Sequence, residues 1–258
     1  TQLQVWHNVL ASAAPGLVLP WNALRELILD GQGGNDRLIV DRTNGNPIPS
    51  GGLIIDGGTL SLETASVPGL NGFALHLRNG ATVKLASDLR LSALSISDTA
   101  SLDLADHDLV VSASEQAPLQ TLQQLTNWIK CARGSDGQWI GTGLSSSAAK
   151  GNNQTGLSIL LNEQGGQPIL TSFAGQSVDV SDVLVKYTWN GDVNLDGVLN
   201  GDDYFLVDSG FLTQAGGYQN GDLNFDGKVD GDDYFLIDSA FIAQSGVLNE
   251  RAARSANG

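Results

Sequence analysis

Ten oxygen-bearing side chains fall in two sets with identical spacing. The first set is Asp192, Asn194, Asp196, Asn200 and Asp203; the second is Asp222, Asn224, Asp226, Asp230 and Asp233. Each set occupies positions 1, 3, 5, 9 and 12 of a twelve-residue stretch, with glycine (Gly197, Gly227) at position 6. A glycine there permits the sharp turn that folds the first three oxygens back around one point. Position 7, Val198 or Lys228, contributes a main-chain carbonyl, so its side chain is free to vary. An all-oxygen cage of this kind suits a hard divalent cation that takes six to eight oxygens, and Ca²⁺ is that ion. The spacing predicts two Ca²⁺ ions, one per loop.

The elements that must hold these oxygens repeat as well. Residues 191–220 and 221–250 align without a gap and share sixteen of thirty positions. After each loop the apolar residues take helical spacing: Tyr204, Val207 and Phe211, then Tyr234, Ile237 and Phe241. Each unit therefore reads as a loop followed by one helix, with no helix evident before either loop. One unit alone buries too little to be stable, so the two are expected to pack face to face about a pseudo-twofold axis. Between 191 and 240 there are eleven Asp and one Lys, a net charge of −10 out of −15 for the whole chain. Carboxylates crowded this way repel one another unless a cation neutralises them.

Residues 190–245 resemble a type I dockerin module, with its duplicated calcium loop and helix. More narrowly, the run Asp-Asp-Tyr-Phe-Leu-x-Asp-Ser-x-Phe at 202–211 and 232–241 is similar to the dockerin-like C-terminal modules of large secreted proteins of planctomycete-type bacteria. The resemblance implies EF-hand-like metal ligation by Asp192, Asn194, Asp196, Val198, Asn200 and Asp203, and by Asp222, Asn224, Asp226, Lys228, Asp230 and Asp233. It also implies a module of 190–246 followed by a tail of 247–258. Dockerins read a cohesin partner partly through a Ser-Thr type pair at loop positions 10–11 and through basic helix residues. Here those positions hold Gly201-Asp202 and Gly231-Asp232, and neither helix carries Lys or Arg.

The preceding 189 residues read as mainly β. Short apolar–polar alternating runs between Gly, Asn or Asp turns fill 24–112, among them Leu53–Ile55, Phe73–Leu77, Thr82–Leu85 and Leu109–Val111. The spacing of Val83/Leu85 to Leu102/Leu104 is 19 residues, as is that of Leu91 to Val110. That length suits one turn of a β-solenoid, a parallel β-helix; a β-sandwich is the alternative. Leu89–Leu91 and Leu94–Ile96 read as separate strands. Gly31 to Leu38 resembles a single RTX-type calcium nonapeptide, or a plain turn. Pro118 to Arg133 has helical spacing, with Pro at the start and Gly134 as the stop. Further strands are expected at about 157–188: Leu157–Leu161, Ile169–Phe173 and Val183–Tyr187. The junction at 187–190 lacks a Pro/Gly linker, which predicts close packing of the loop-helix units on the β part.

Composition bounds the function. The acidic balance argues against nucleic acid as a partner. No apolar run is long enough to span a bilayer. Cys131, the single cysteine, is expected to be a packed core residue. His7, His76 and His107 lack metal or triad spacing, and no phosphate-binding loop or nucleophile elbow is present. The expectation is a non-enzymatic extracellular calcium-binding structural protein: a building block of a cell surface, matrix or filament. Its partners would be further copies of itself or another extracellular protein, with polysaccharide as a possible ligand. The run Leu3–Val9, before a Pro15-Gly16 break, reads as a strand that adds to a neighbouring subunit or pairs within the chain. A docking module for a cohesin-like partner and a carbohydrate-active, lyase-like β-helix are the alternatives.

Overall fold

A computed structural model describes residues 24–43, 45–64, 72–113, 117–245 and 248, and the main chain of 2–5 and 17–20. His7, Trp6–Val9, the break at 15–16 and the tail of 247–258, except Leu248, lie outside the described residues. The chain is mainly β, built on a β-solenoid, with three α-helices among the described residues.

Two parallel sheets form the solenoid, because successive strands alternate between them. One sheet takes β3 (Leu27–Asp30), β5 (Leu53–Asp56), β7 (Phe73–Arg78), β9 (Leu89–Ile96) and β11 (Leu109–Ser112). The other takes β4 (Asn35–Val40), β6 (Thr59–Thr64), β8 (Thr82–Leu85), β10 (Ser101–Asp103) and β12 (Gly143–Ser145). The parallel register stacks like on like. Leu27, Leu53, Leu75 and Leu94 form one ladder, and Leu60, Val83, Leu102 and Leu144 another. These inward side chains alternate with outward polar ones, such as Arg78 paired with Asp56 at 2.7 Å. Leu75 is fully buried. Leu75→Ala is expected to cost about 2–5 kcal/mol in urea or thermal unfolding. An unchanged midpoint would show that this ladder does not hold the coils together.

Parallel register rules out the sandwich alternative. It corrects one spacing too: Leu102 does pair with Val83, but Val110 pairs with Arg90 and Leu91 with Val111, one residue longer than expected. Leu89–Leu91 and Leu94–Ile96 are one strand, β9. It passes a bulge opposite Phe73/Ala74, so its first half meets β11 and its second half β7. The segment from Gly31 is a turn between β3 and β4, in which Asp30 Oδ1 accepts from the Gln32 N–H at 3.2 Å.

Between β11 and β12 the chain inserts helix α1 (Pro118–Arg133). Its Leu125, Ile129 and Ala132 face the core. Cys131 lies off that stripe and is exposed, so the expected packed thiol is a surface one. The solenoid sheet is closed by antiparallel strands β16 (Asp182–Trp189), against β11, and β13 (Thr155–Leu161), against β16. The strand expected at Ile169–Phe173 shrinks to β14 (Ser172–Phe173), which among the described residues pairs only with β15 (Gln176–Ser177). The reason is local: the Asn162 side chain accepts from Leu170 N at 2.7 Å and donates to Leu170 O at 2.8 Å, replacing a sheet ladder. At the N-terminus, β1 (Gln2–Val5) pairs antiparallel with β2 (Leu17–Pro20), the within-chain option.

The two remaining helices are α2 (Gly201–Thr213) and α3 (Gly231–Ala243). β16 leads directly into the first acidic loop, and a 3-10 turn at Tyr218–Asn220 leads into the second. Val193, Val207, Leu223 and Ile237 belong to the same buried cluster as Leu75 and Leu102. The loop-helix pair therefore shares its core with the β part, as the missing linker predicts.

Candidate metal centre

The two units face each other with reciprocal contacts. Tyr204 meets Phe241 edge-on at 5.9 Å, and Phe211 meets Tyr234 edge-on at 6.1 Å. The Tyr204 hydroxyl donates to Asp238 at 2.7 Å, while that of Tyr234 donates to Asp208. This exchange of equivalent partners is the expected pseudo-twofold arrangement.

Position 9 of each loop is also the N-cap of the following helix, and position 12 is its third residue. Asn200 Oδ1 accepts from Asp202 N at 2.7 Å, and Asp203 Oδ2 accepts from Asn200 N at 3.0 Å. Asp230 and Asp233 repeat this at 3.0 and 2.9 Å. Each loop thus ends in a capping box. At position 3, Asn194 Oδ1 accepts from Asp196 N and Asn224 Oδ1 from Asp226 N, at 2.8 and 2.7 Å. At position 5, Asp196 and Asp226 accept from the N–H groups of Val198 and Lys228. Gly197 and Gly227 have φ of +87° and +99°, a conformation glycine adopts without strain. Leu195 and Phe225, at position 4, share φ of +64°, strained for side chains of that size. The same strained turn is built twice.

Position 1 is the informative one. Asp192 is fully buried and Asp222 nearly so. Asp192 Oδ2 accepts from the Thr188 hydroxyl at 2.5 Å and from Gly197 N at 2.9 Å; Asp222 Oδ2 accepts from Gly227 N at 3.1 Å and Gly217 N at 3.3 Å. In both residues the other oxygen, Oδ1, is buried without a hydrogen-bond partner. Leaving a buried carboxylate oxygen unpartnered is costly, and the chain does so at the same loop position twice. Burial pushes the carboxyl groups of Asp192, Asp222 and Asp233 above the ordinary range and that of Asp203 up to about 7. Asp192 and Asp196 add repulsion to Asp203. These groups favour a nearby positive charge. The donor set, of carboxylates, amide oxygens and carbonyls, is that of a calcium loop, so the residues present fit the ion.

Among the described residues, no group of three or more His, Cys, Asp and Glu side chains stands in a metal-holding arrangement. This holds although the first loop's set of oxygen side chains carries three Asp and the second's four. Of the histidines, His76 lies on β7 and contacts Ser95 Oγ at 2.7 Å, and His107 follows β10, 3.4 Å from Asp88.

Several supports were not legible in the sequence. Lys186, on β16 and almost fully buried, donates to Leu195 O at 2.7 Å, bracing the strained turn of the first loop. Gln244, just past α3, donates to Leu199 O at 3.0 Å and accepts from Leu199 N, while Leu248 N donates to Gly197 O at 3.0 Å. The second loop is braced from the solenoid side, by Arg133 Nη1 at 3.5 Å from Asn224 O. The fully buried Tyr218 hydroxyl, pushed up to about 12 by burial, accepts from Ser158 Oγ at 2.7 Å and Gly191 N at 3.2 Å. It ties β13 to the start of the first loop. The only local signal for such contacts was the missing linker. No protein-family model matches the chain, and neither a curated protein nor a solved structure matches it. No helix among the described residues is long and apolar enough to cross a membrane.

Proposed function

We propose that residues 190–246 form a dockerin-like module that holds two Ca²⁺ ions, and that the chain is a non-enzymatic extracellular structural protein. It would serve as a building block of a cell surface, matrix or filament, with the ions ordering its C-terminal end. The carrying observation is the pair of buried, unpartnered oxygens, Asp192 Oδ1 and Asp222 Oδ1. The ligands are Asp192, Asn194, Asp196, Val198 (carbonyl), Asn200 and Asp203, and the corresponding Asp222, Asn224, Asp226, Lys228 (carbonyl), Asp230 and Asp233. Calcium loops of extracellular modules work at the high calcium outside cells, which supports that location. Strands β3 and β4 are the last of their sheets among the described residues. Such ends leave room for a neighbouring copy to continue the solenoid.

Calorimetric titration is expected to give two equivalents of Ca²⁺ for the native chain and one each for Asp192→Ala and Asp222→Ala. No uptake by the native chain, or two equivalents in both variants, would sink the reading. A second reading, docking onto a cohesin-like or other protein partner, is favoured by one observation. Phe205, Leu212, Phe235 and Ile242 stand 68–85 % exposed at equivalent positions of α2 and α3. Calcium-dependent binding to a distinct purified protein, lost in Phe205→Ser, would select it.

A further inference from the structure

A cleft of about 600 Å³ opens where the C-terminal end of α1 meets the second loop and the start of α3. Its size falls within the range of about 300–1,000 Å³ usual for small-molecule sites. Trp139 lies among its lining residues at 5 % exposure, with φ of +56° and its main-chain N–H donating to Arg133 O at 3.1 Å. A bulky residue in that conformation marks backbone strain retained by its surroundings.

From these walls we infer that the cleft binds a neutral oligosaccharide. The lining carries both signs of charge, with Lys130 and Arg133 contributed by α1, Asp136 by the turn that follows it, and Asp232 by α3. An ion of either sign would meet a like charge, whereas a polyhydroxyl ligand is attracted to both. Each sugar hydroxyl donates and accepts. The Asn153 amide offers a donor and an acceptor, Asp232 offers acceptors, and Lys130 offers donors. Phe235, 68 % exposed, supplies an apolar ring against which the C–H face of a pyranose can lie.

The site is also tied to the second loop. Asn224 and Asp226 line the cleft and stand at loop positions 3 and 5, and Arg133 reaches the Asn224 carbonyl. Resting on the calcium reading, oligosaccharide binding therefore depends on an ordered second loop.

The test titrates the ¹⁵N-labelled full chain with neutral disaccharides of glucose, galactose, mannose, xylose and N-acetylglucosamine, in calcium and in chelator. At least one is expected to shift the Trp139 indole N–H and the Asn153 side-chain amide saturably. Affinity should fall about tenfold or more in Asn153→Ala and in Phe235→Ala. Both positions are exposed, and unchanged melting temperatures would confirm folding. No saturable shift with any of the sugars, shifts that persist in both variants, or displacement by a peptide but not by sugar would overturn the inference. Calcium uptake is read separately by calorimetry. Two equivalents of Ca²⁺ without a sugar response sinks the cleft alone. A sugar response without Ca²⁺ uptake sinks the calcium reading and the coupling, and leaves the ligand class standing.

Discussion

Removing calcium with a chelator is expected to lower the melting temperature by roughly 10–20 °C and to strip hydrogen-exchange protection from 190–246. One site at a hundredfold excess over its Kd contributes about 2.7 kcal/mol. Two contribute about 5 kcal/mol, out of a typical stability of about 5–15 kcal/mol, and each kcal/mol moves a domain of this size by about 2–4 °C. The effect should not stop at the loops. Val193, Val207 and Ile237 pack in the same cluster as the solenoid leucines, so β13 and β16 should lose protection as well. In chelator, stability should also fall as pH rises. A carboxyl whose folded pKa lies above its unfolded value stabilises fully below the unfolded value and loses that contribution as pH rises through the folded one. For Asp203 the window runs from about 4 to about 7. A melt unchanged by chelator at every pH contradicts the calcium reading.

Gly210→Ala is expected to be severe although it adds one methyl group. A Cβ on Gly210 would sit 1.8 Å from Asn220 O and 2.8 Å from Asn220 C. Main chain cannot move aside as a flexible side chain can, so the cost should reach about 3 kcal/mol or more, the upper end of overpacking. The equivalent position in α3 is Ala240, fully buried and accommodated. The 3-10 turn at Tyr218–Asn220 crosses α2, and this is where the pseudo-twofold symmetry breaks. Urea unfolding of Gly210→Ala beside Ala240→Gly checks it. The second change should cost less, about 1 kcal/mol of helix propensity and about 1 kcal/mol for the lost buried methyl group. Equal costs would show that the close approach at Gly210 is not tight.

What could be read in advance followed the range of each interaction. The loops and both helices were legible because the spacing of the oxygen side chains and the helical periodicity lie within a dozen residues. The solenoid was legible at the level of fold class, since the register of Val83 with Leu102 repeats a local pattern. The coil from β10 to β12 was not, because α1 is inserted between them. Residues 169–171 looked like a strand because Ile169, Leu170 and Thr171 have apolar or β-branched side chains, but the Asn162 side chain takes the hydrogen bonds of Leu170. Cys131 was misplaced for a related reason: cysteine's general preference for interiors says nothing about which side of α1 faces the core. The cleft and the bracing of the loops by Lys186, Arg133 and Gln244 depend on elements that meet only in three dimensions.

The capping boxes limit how the repeats can drift. The residue that begins each helix and the one three places later also border the loop, so their separation is locked. An insertion there would disturb both tasks at once. The two copies differ at positions 193, 195, 198 and 199, and at 200 only by an exchange of Asn for Asp that keeps the capping oxygen, while Gly-Asp-Asp-Tyr-Phe-Leu stays unbroken at 201–206 and 231–236. Divergence is tolerated within the turn, and at its junction with the helix only where the capping oxygen is kept.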